Sequence, residues 1–184
     1  MIVIDKIQKY FIKESLEYEN KSGYNYWDNH VKYVVDIAEH LASRVNADKE
    51  IVVISAILHD IAKVLEKNID KPHNLVGAKI AEELLLKEGY DKEKIEKVKL
   101  CIIHHSGSLD TEISKEEWCV RNADIISMFN NITIFYYLAI NEYKLNYNET
   151  RKWVKDMISS KYKNLDENLK KEYDNLFNII YNAI

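Results

Sequence analysis

Histidine and aspartate recur along this chain as His30, His59-Asp60, His73, His104-His105 and Asp124. Imidazole and carboxylate are the side chains that bind first-row divalent metals where thiolates are absent. Most of these residues fall in apolar surroundings: His59-Asp60 follows IVVISAIL, the doublet follows VKLCII, and Asp124 sits in CVRNADII. Charged groups in such stretches are costly to bury unless they are paired or hold a metal. Together they read as the ligands of a two-metal site. Any single histidine is more often a solvated or satisfied residue. His40 is the example, since at helical spacing it shares a face with Asp36, Ser43 and Arg44.

The elements that must bring these residues together are helices. Apolar residues recur mostly at three- and four-residue steps. Ile4, Ile7, Phe11 and Ile12 mark a first helix that breaks up at Asn20-Lys-Ser-Gly23. Asp28 is placed to cap a second, with His30 in its first turn and an apolar face of Val31, Val34, Val35, Ala38, Leu41, Ala42 and Val45. A third starts near Asp48, carries His59 and Asp60, and runs to about Leu65. Pro72 suits the start of a fourth, with His73 just inside it, small packing residues Gly77, Ala78 and Ala81, and Gly89 at its end. A fifth, from about Lys92, delivers His104 and His105 before Ser106-Gly107-Ser108 stops it, and a sixth from about Lys115 brings in Asp124.

Composition agrees. Four glycines and one proline in 184 residues leave little punctuation for a multi-stranded sheet, so the expectation is an all-α, single-domain helical bundle over 1–184. Its core spans about 25–130, and helices from about 130–184 cover it. Their periodic residues are Leu165, Leu169, Tyr173, Leu176, Phe177 and Ile180. The formal charge of -4 carries no basic stripe for a nucleic-acid polymer and no polybasic membrane patch. Cys101 and Cys119 are too few and unpatterned for a disulfide framework or a thiolate site. MIVIDKIQKYF lacks the apolar stretch of a signal peptide, and no run of about 20 apolar residues follows, so a cytoplasmic protein is expected.

The order His, His-Asp, His, His-His, Asp resembles the HD superfamily of metal-dependent phosphohydrolases over roughly residues 25–130. WDNHVKYV looks like the family's first-ligand helix, AILHDIAK like its central helix, HNLVGAKIAEELL like the third-ligand segment and RNADIIS like the last. The doublet resembles the binuclear branch. The resemblance implies an all-helical bundle with the site in its core. By carry-over, His30, His59, Asp60 and Asp124 would hold one metal. His73, His104 and His105 would hold the second, with Asp60 bridging. Iron is the expected metal, and manganese, nickel, cobalt and zinc also suit nitrogen-rich mixed ligands.

The chemistry expected of such a pair is hydrolysis of a phosphomonoester, a nucleotide or a dinucleoside polyphosphate by a hydroxide bridging the metals. Lys63 sits three and four residues after Asp60 and His59, on their face of the helix, where its ammonium would reach a phosphate oxygen. The alternative is a solvated lysine. Arg121, three residues before Asp124, is a second candidate of the same kind. Tyr24, Tyr26 and Trp27 precede His30 and would either wall a base pocket or pack the helix start. The partner expected is a small phosphate ester, neither a nucleic-acid polymer nor a membrane, with a homodimer through the C-terminal helices left open.

Where cyclic-dinucleotide phosphodiesterases continue the doublet into a glutamate and a Gly-Tyr-Pro stretch, this chain reads HHSGSLD, so a cyclic dinucleotide is discounted. Two other classes remain. One is an HD-type diiron oxygenase, whose sites resemble this series but give the second metal one fewer histidine. Neighbours on a helix point about 100° apart, so the oxygenase gains ground if His104 points away. The other is a metal-binding interaction protein without turnover.

Overall fold

The structure is a computed structural model that describes residues 2–65, 71–107 and 111–184. Among these every regular element is helical, as the sequence implies. The chain divides into two compact units, Met1–Asp124 and Ile125–Ile184. The division falls just after Asp124.

In the first unit, α1 (Ile2–Ser22) leads to a short π-helical turn, Trp27–Val31, that runs directly into α2 (Lys32–Val45). The cap here differs from expectation. Asn25 rather than Asp28 starts the segment: its side-chain oxygen accepts the Asp28 N–H at 2.9 Å. Asp28 lies inside the turn, and the one-residue-wider π winding carries His30 to the buried side.

Helix α3 (Lys49–Leu58) is the central element. Asp48 caps it by accepting the Glu50 and Ile51 N–H groups, and Ile51, Val52, Ile54, Ser55, Ala56, Ile57 and Leu58 are all buried. A helix apolar on every side needs neighbours on every side, and α1, α2 and α6 pack against it.

The sequence suggests one helix from Asp48 to about Leu65, but the structure breaks it at His59-Asp60. Helix α4 (Ile61–Val64) restarts after Asp60, whose φ of -109° and ψ of 16° lie in the bridge region. Periodicity does not reveal the break, because both sides of it are apolar. It lets the adjacent His59 and Asp60 side chains face one point.

Helices α5 (His73–Lys87) and α6 (Lys92–His104) pack tightly together, and α7 (Lys115–Asn130) starts after them. Gly77 permits the approach of α5 to the break: a Cβ there would lie 3.4 Å from Ile102 Cγ2 and 3.6 Å from the His59 carbonyl oxygen. Gly107, at φ +85°, takes the left-handed conformation just past α6.

The second unit holds α8 (Thr133–Tyr137), which continues as a π-helical turn Leu138–Glu142, then α9 (Tyr147–Lys163) and α10 (Glu167–Ala183). A capping box of Asn146 and Glu149 starts α9, and Asp166 caps α10. Leu165 and Leu169 are buried, and Tyr162 stacks on Phe177 with centroids 4.0 Å apart. No single helix among the described residues is long and apolar enough to cross a membrane.

Candidate metal centre

Five elements of the first unit converge on one point. His30 comes from the π turn, His59 and Asp60 from the break after α3, His73 from the first turn of α5, His105 from the end of α6 and Asp124 from α7. His30, His59, Asp60, His105 and Asp124 are all buried, whereas His73 is half-buried.

Asp60 organises the cluster. Its Oδ2 lies 3.6 Å from His59 Nε2 and 3.7 Å from His30 Nε2. Its Oδ1 lies 3.6 Å from both His73 Nε2 and His105 Nε2. Each oxygen therefore faces a different imidazole pair, and the two nitrogens within each pair are 3.1 and 3.2 Å apart. Asp124 Oδ1 completes the first group at 3.2 Å from His30 Nε2 and 3.7 Å from His59 Nε2.

The donor set fits two cations. His59 Nδ1 donates to the Ala56 carbonyl at 2.7 Å and His105 Nδ1 to the Ile102 carbonyl at 2.6 Å. A carbonyl only accepts, so the Nε2 of each neutral ring carries a lone pair. Burial pushes His59 down to about 3 and His73 down to about 4, which keeps both rings neutral near pH 7. Asp60 Oδ1 is buried and accepts no hydrogen bond: Lys63 Nζ is 2.9 Å from each carboxylate oxygen but donates to Oδ2. The Lys63 ammonium offsets part of the carboxylate charge, and a cation among the imidazole lone pairs would offset the rest. Separations of 3.1–3.7 Å suit donors that share an ion at about 2.1 Å. Burial alone would raise the Asp60 carboxyl, yet Lys63, His59 and His105 hold it well below the usual carboxylate range. It is an anion in the folded protein.

His104 does not join the cluster, contrary to the expectation that both doublet histidines serve the second metal. The helical offset between neighbours turns its ring away, and Nδ1 pairs with the buried Glu117. Glu117 also forms a reciprocal capping box with Ser114 at the start of α7. Its sequence signal, Ser114 followed three residues later by glutamate, was readable as a cap but not as a histidine partner.

Arg121 is not placed to grip substrate. It is buried, and its guanidinium donates to the carbonyls of His104 (3.0 Å) and Gly107 (2.7 Å). Lys63, with a side chain 36% exposed, stands beside Asp60 on the same open side as His73 at 34%. Tyr24 and Tyr26 are buried in edge-to-face contact, and Trp27 packs on Phe11, so these aromatics serve the helix start. Burial pushes the Cys101 and Cys119 thiols up to about 12, so both are neutral thiols at pH 7, and neither stands in the imidazole and carboxylate cluster. His40 is exposed, as expected.

An all-helical unit with a shared aspartate between two histidine pairs defines a class of metal-site protein. The HD domain family matches residues 27–128, more than half of the 184, and the chain belongs to that family. HD proteins are generally hydrolases and bind divalent metals. The chain is 30% identical over 101 residues to an uncharacterized protein of Clostridium beijerinckii, covering 52% of this chain and 63% of the other. It is 33% identical over 69 residues to ribonuclease Y of Chloroflexus aurantiacus, and 31% identical over 112 residues to ribonuclease Y of Clostridium kluyveri. These matches cover 38% and 61% of this chain but only 13% and 20% of the ribonucleases. The fold is similar to the crystal structure of a predicted HD superfamily hydrolase from an uncultured Thermotogales bacterium, with a TM-score of 0.59, 24% identity and 84% of each chain covered.

Proposed function

We propose that this protein is a metal-dependent phosphohydrolase acting on a small phosphomonoester, a nucleotide or a dinucleoside polyphosphate. The observation that carries the reading is Asp60 set between two imidazole pairs, one of them at the half-open side where Lys63 stands. His30, His59, Asp60 and Asp124 would hold one divalent cation and Asp60, His73 and His105 the other. Bound there, two such cations supply a water-derived nucleophile at neutral pH and neutralise charge on phosphoryl oxygens. Iron is the favoured metal, with manganese, nickel, cobalt and zinc as competitors.

The side chains do the rest. His59 and His105, each fixed by its Nδ1–H on a backbone carbonyl, present Nε2 without a choice of tautomer. Lys63 balances the Asp60 anion and offers its ammonium to a phosphate at the open side. Three protein donors at the second position leave more room for substrate than four at the first.

One observation favours a second reading. With His104 on Glu117, the converging donors among the described residues are His30, His59, Asp60, His73, His105 and Asp124, one histidine fewer than the sequence suggested. That reduced set is the one expected of an HD-type diiron oxygenase. The two are separated by assaying iron-loaded protein for phosphate release with and without oxygen, and for oxygen uptake. Phosphate release independent of oxygen supports the hydrolase. Oxygen uptake without phosphate release would replace it. A panel that includes short RNA tests whether the ribonuclease relatives share more than the domain; the charge of -4 makes cleavage of a polymer the unexpected result.

A further inference from the structure

The last turn of an α-helix leaves its final carbonyls without partners inside the helix. At the end of α6 these carbonyls are taken by side chains. Ile102 O accepts His105 Nδ1 at 2.6 Å, Ile103 O accepts Asn74 Nδ2 at 2.6 Å, and His104 O accepts Arg121 at 3.0 Å. The second terminal nitrogen of Arg121 reaches past the helix end to Gly107 O at 2.7 Å.

The donors come from the neighbourhood of the other ligands. Asn74 follows His73 in the first turn of α5, and Arg121 lies one turn before Asp124 on α7. Three ligand-bearing helices are therefore tied together at the α6 terminus by groups that are not themselves ligands. The Arg121 fork brackets His105, binding the carbonyl one residue before it and the carbonyl two residues after it. A guanidinium also complements the negative end of a helix dipole. Asn74 is the direct tie between the start of α5 and the end of α6, the two termini whose histidines stand 3.2 Å apart.

His105 needs such a restraint. It sits just beyond α6, at φ -64° and ψ -23°, where helix ends fray, yet it must hold its Nε2 beside both His73 and Asp60. We infer that Asn74 and Arg121 are positioning residues for the second cation position, locking His105 in register with His73 and Asp60 through the α6 carbonyls. The inference rests on the two-cation reading above. Neither residue touches substrate or cation. Their effect falls mainly on the second position: His30 and His59 hang from elements that these hydrogen bonds do not reach, and of the first position's donors only Asp124 shares a helix with Arg121.

The test is a calorimetric titration of metal-free protein with Mn2+, in wild type, Asn74→Ala, Arg121→Lys and His73→Ala. Bound metal is counted by elemental analysis, and thermal unfolding of each metal-free protein is recorded. His73→Ala identifies which binding step belongs to the second position. Asn74→Ala and Arg121→Lys should weaken that step about tenfold or more and the other step much less. Lysine keeps the charge but not the fork, so its failure to substitute is part of the expected result. Asn74 is half-buried at a helix start, and its alanine variant keeps the proposal testable if Arg121→Lys fails to fold. Two steps in wild type, both unaltered in the variants or weakened equally, would overturn the positioning role alone. A single step in wild type would instead bring down the two-cation reading and this inference with it.

Discussion

His104 and His105 are adjacent in sequence and face different partners: His105 Nε2 stands 3.6 Å from Asp60 Oδ1, while His104 Nδ1 pairs with Glu117. The doublet is thus one candidate ligand and one structural tie.

That division predicts different outcomes for two neighbouring substitutions. His105→Ala should reduce bound metal from two per chain to one. His104→Ala should keep both metals and lower stability by about 1–3 kcal/mol, because Glu117 is buried and loses a hydrogen-bond partner. Elemental analysis and urea unfolding of both variants check this, and loss of metal in His104→Ala would return that residue to the ligand set.

Asp60 belongs to both imidazole pairs, so its removal should be felt at both. Asp60→Ala should lose both metals and activity together. A variant that keeps even one metal at wild-type affinity would show that the carboxylate is not shared.

Lys63 is expected to act on the substrate, not on the metals. Lys63→Ala should lower kcat/KM by about a hundredfold, the equivalent of roughly 3 kcal/mol of transition-state stabilisation, with metal content intact. An unchanged rate would reduce Lys63 to a counter-ion for Asp60.

Acid should destabilise the metal-free protein from an unusually high pH. His59 is held down to about 3 against an ordinary 6.5, so between those values the unfolded chain binds a proton that the native chain refuses. Stability therefore falls as pH drops through 6.5 and stops falling on this account below about 3. The loss is on the order of 5 kcal/mol. His73, held down to about 4, adds in the same direction, and Asp60, an anion held below its ordinary range, adds its loss at the acid end. Urea unfolding of metal-free protein at pH 7, 6 and 5 reads the slope; a flat response would mean that His59 gains its proton as freely in the fold as outside it.

Much of this was legible in the residues. Helix periodicity located α1, α5, α6 and α7, and Asp48, Pro72, Gly89 and Gly107 marked ends that the fold uses. The histidine and aspartate series contains every donor that converges among the described residues. Three features were hidden for physical reasons. The break at His59-Asp60 lies inside an apolar run with no glycine or proline to announce it. The direction of His104 depends on where α6 ends relative to α7, a tertiary fact that a doublet does not encode. Arg121 is spaced like a phosphate ligand, but the same spacing serves a buried strut on backbone carbonyls, and only the position of the α6 terminus decides between them.

The most direct test of the central claim is elemental analysis of protein purified without chelator, paired with phosphate release from nucleotides and phosphomonoesters in the presence of iron, manganese or cobalt. Near two metals per chain with metal-dependent phosphate release is the predicted result. One metal per chain, or two irons with no hydrolysis of any substrate in the panel, would contradict it.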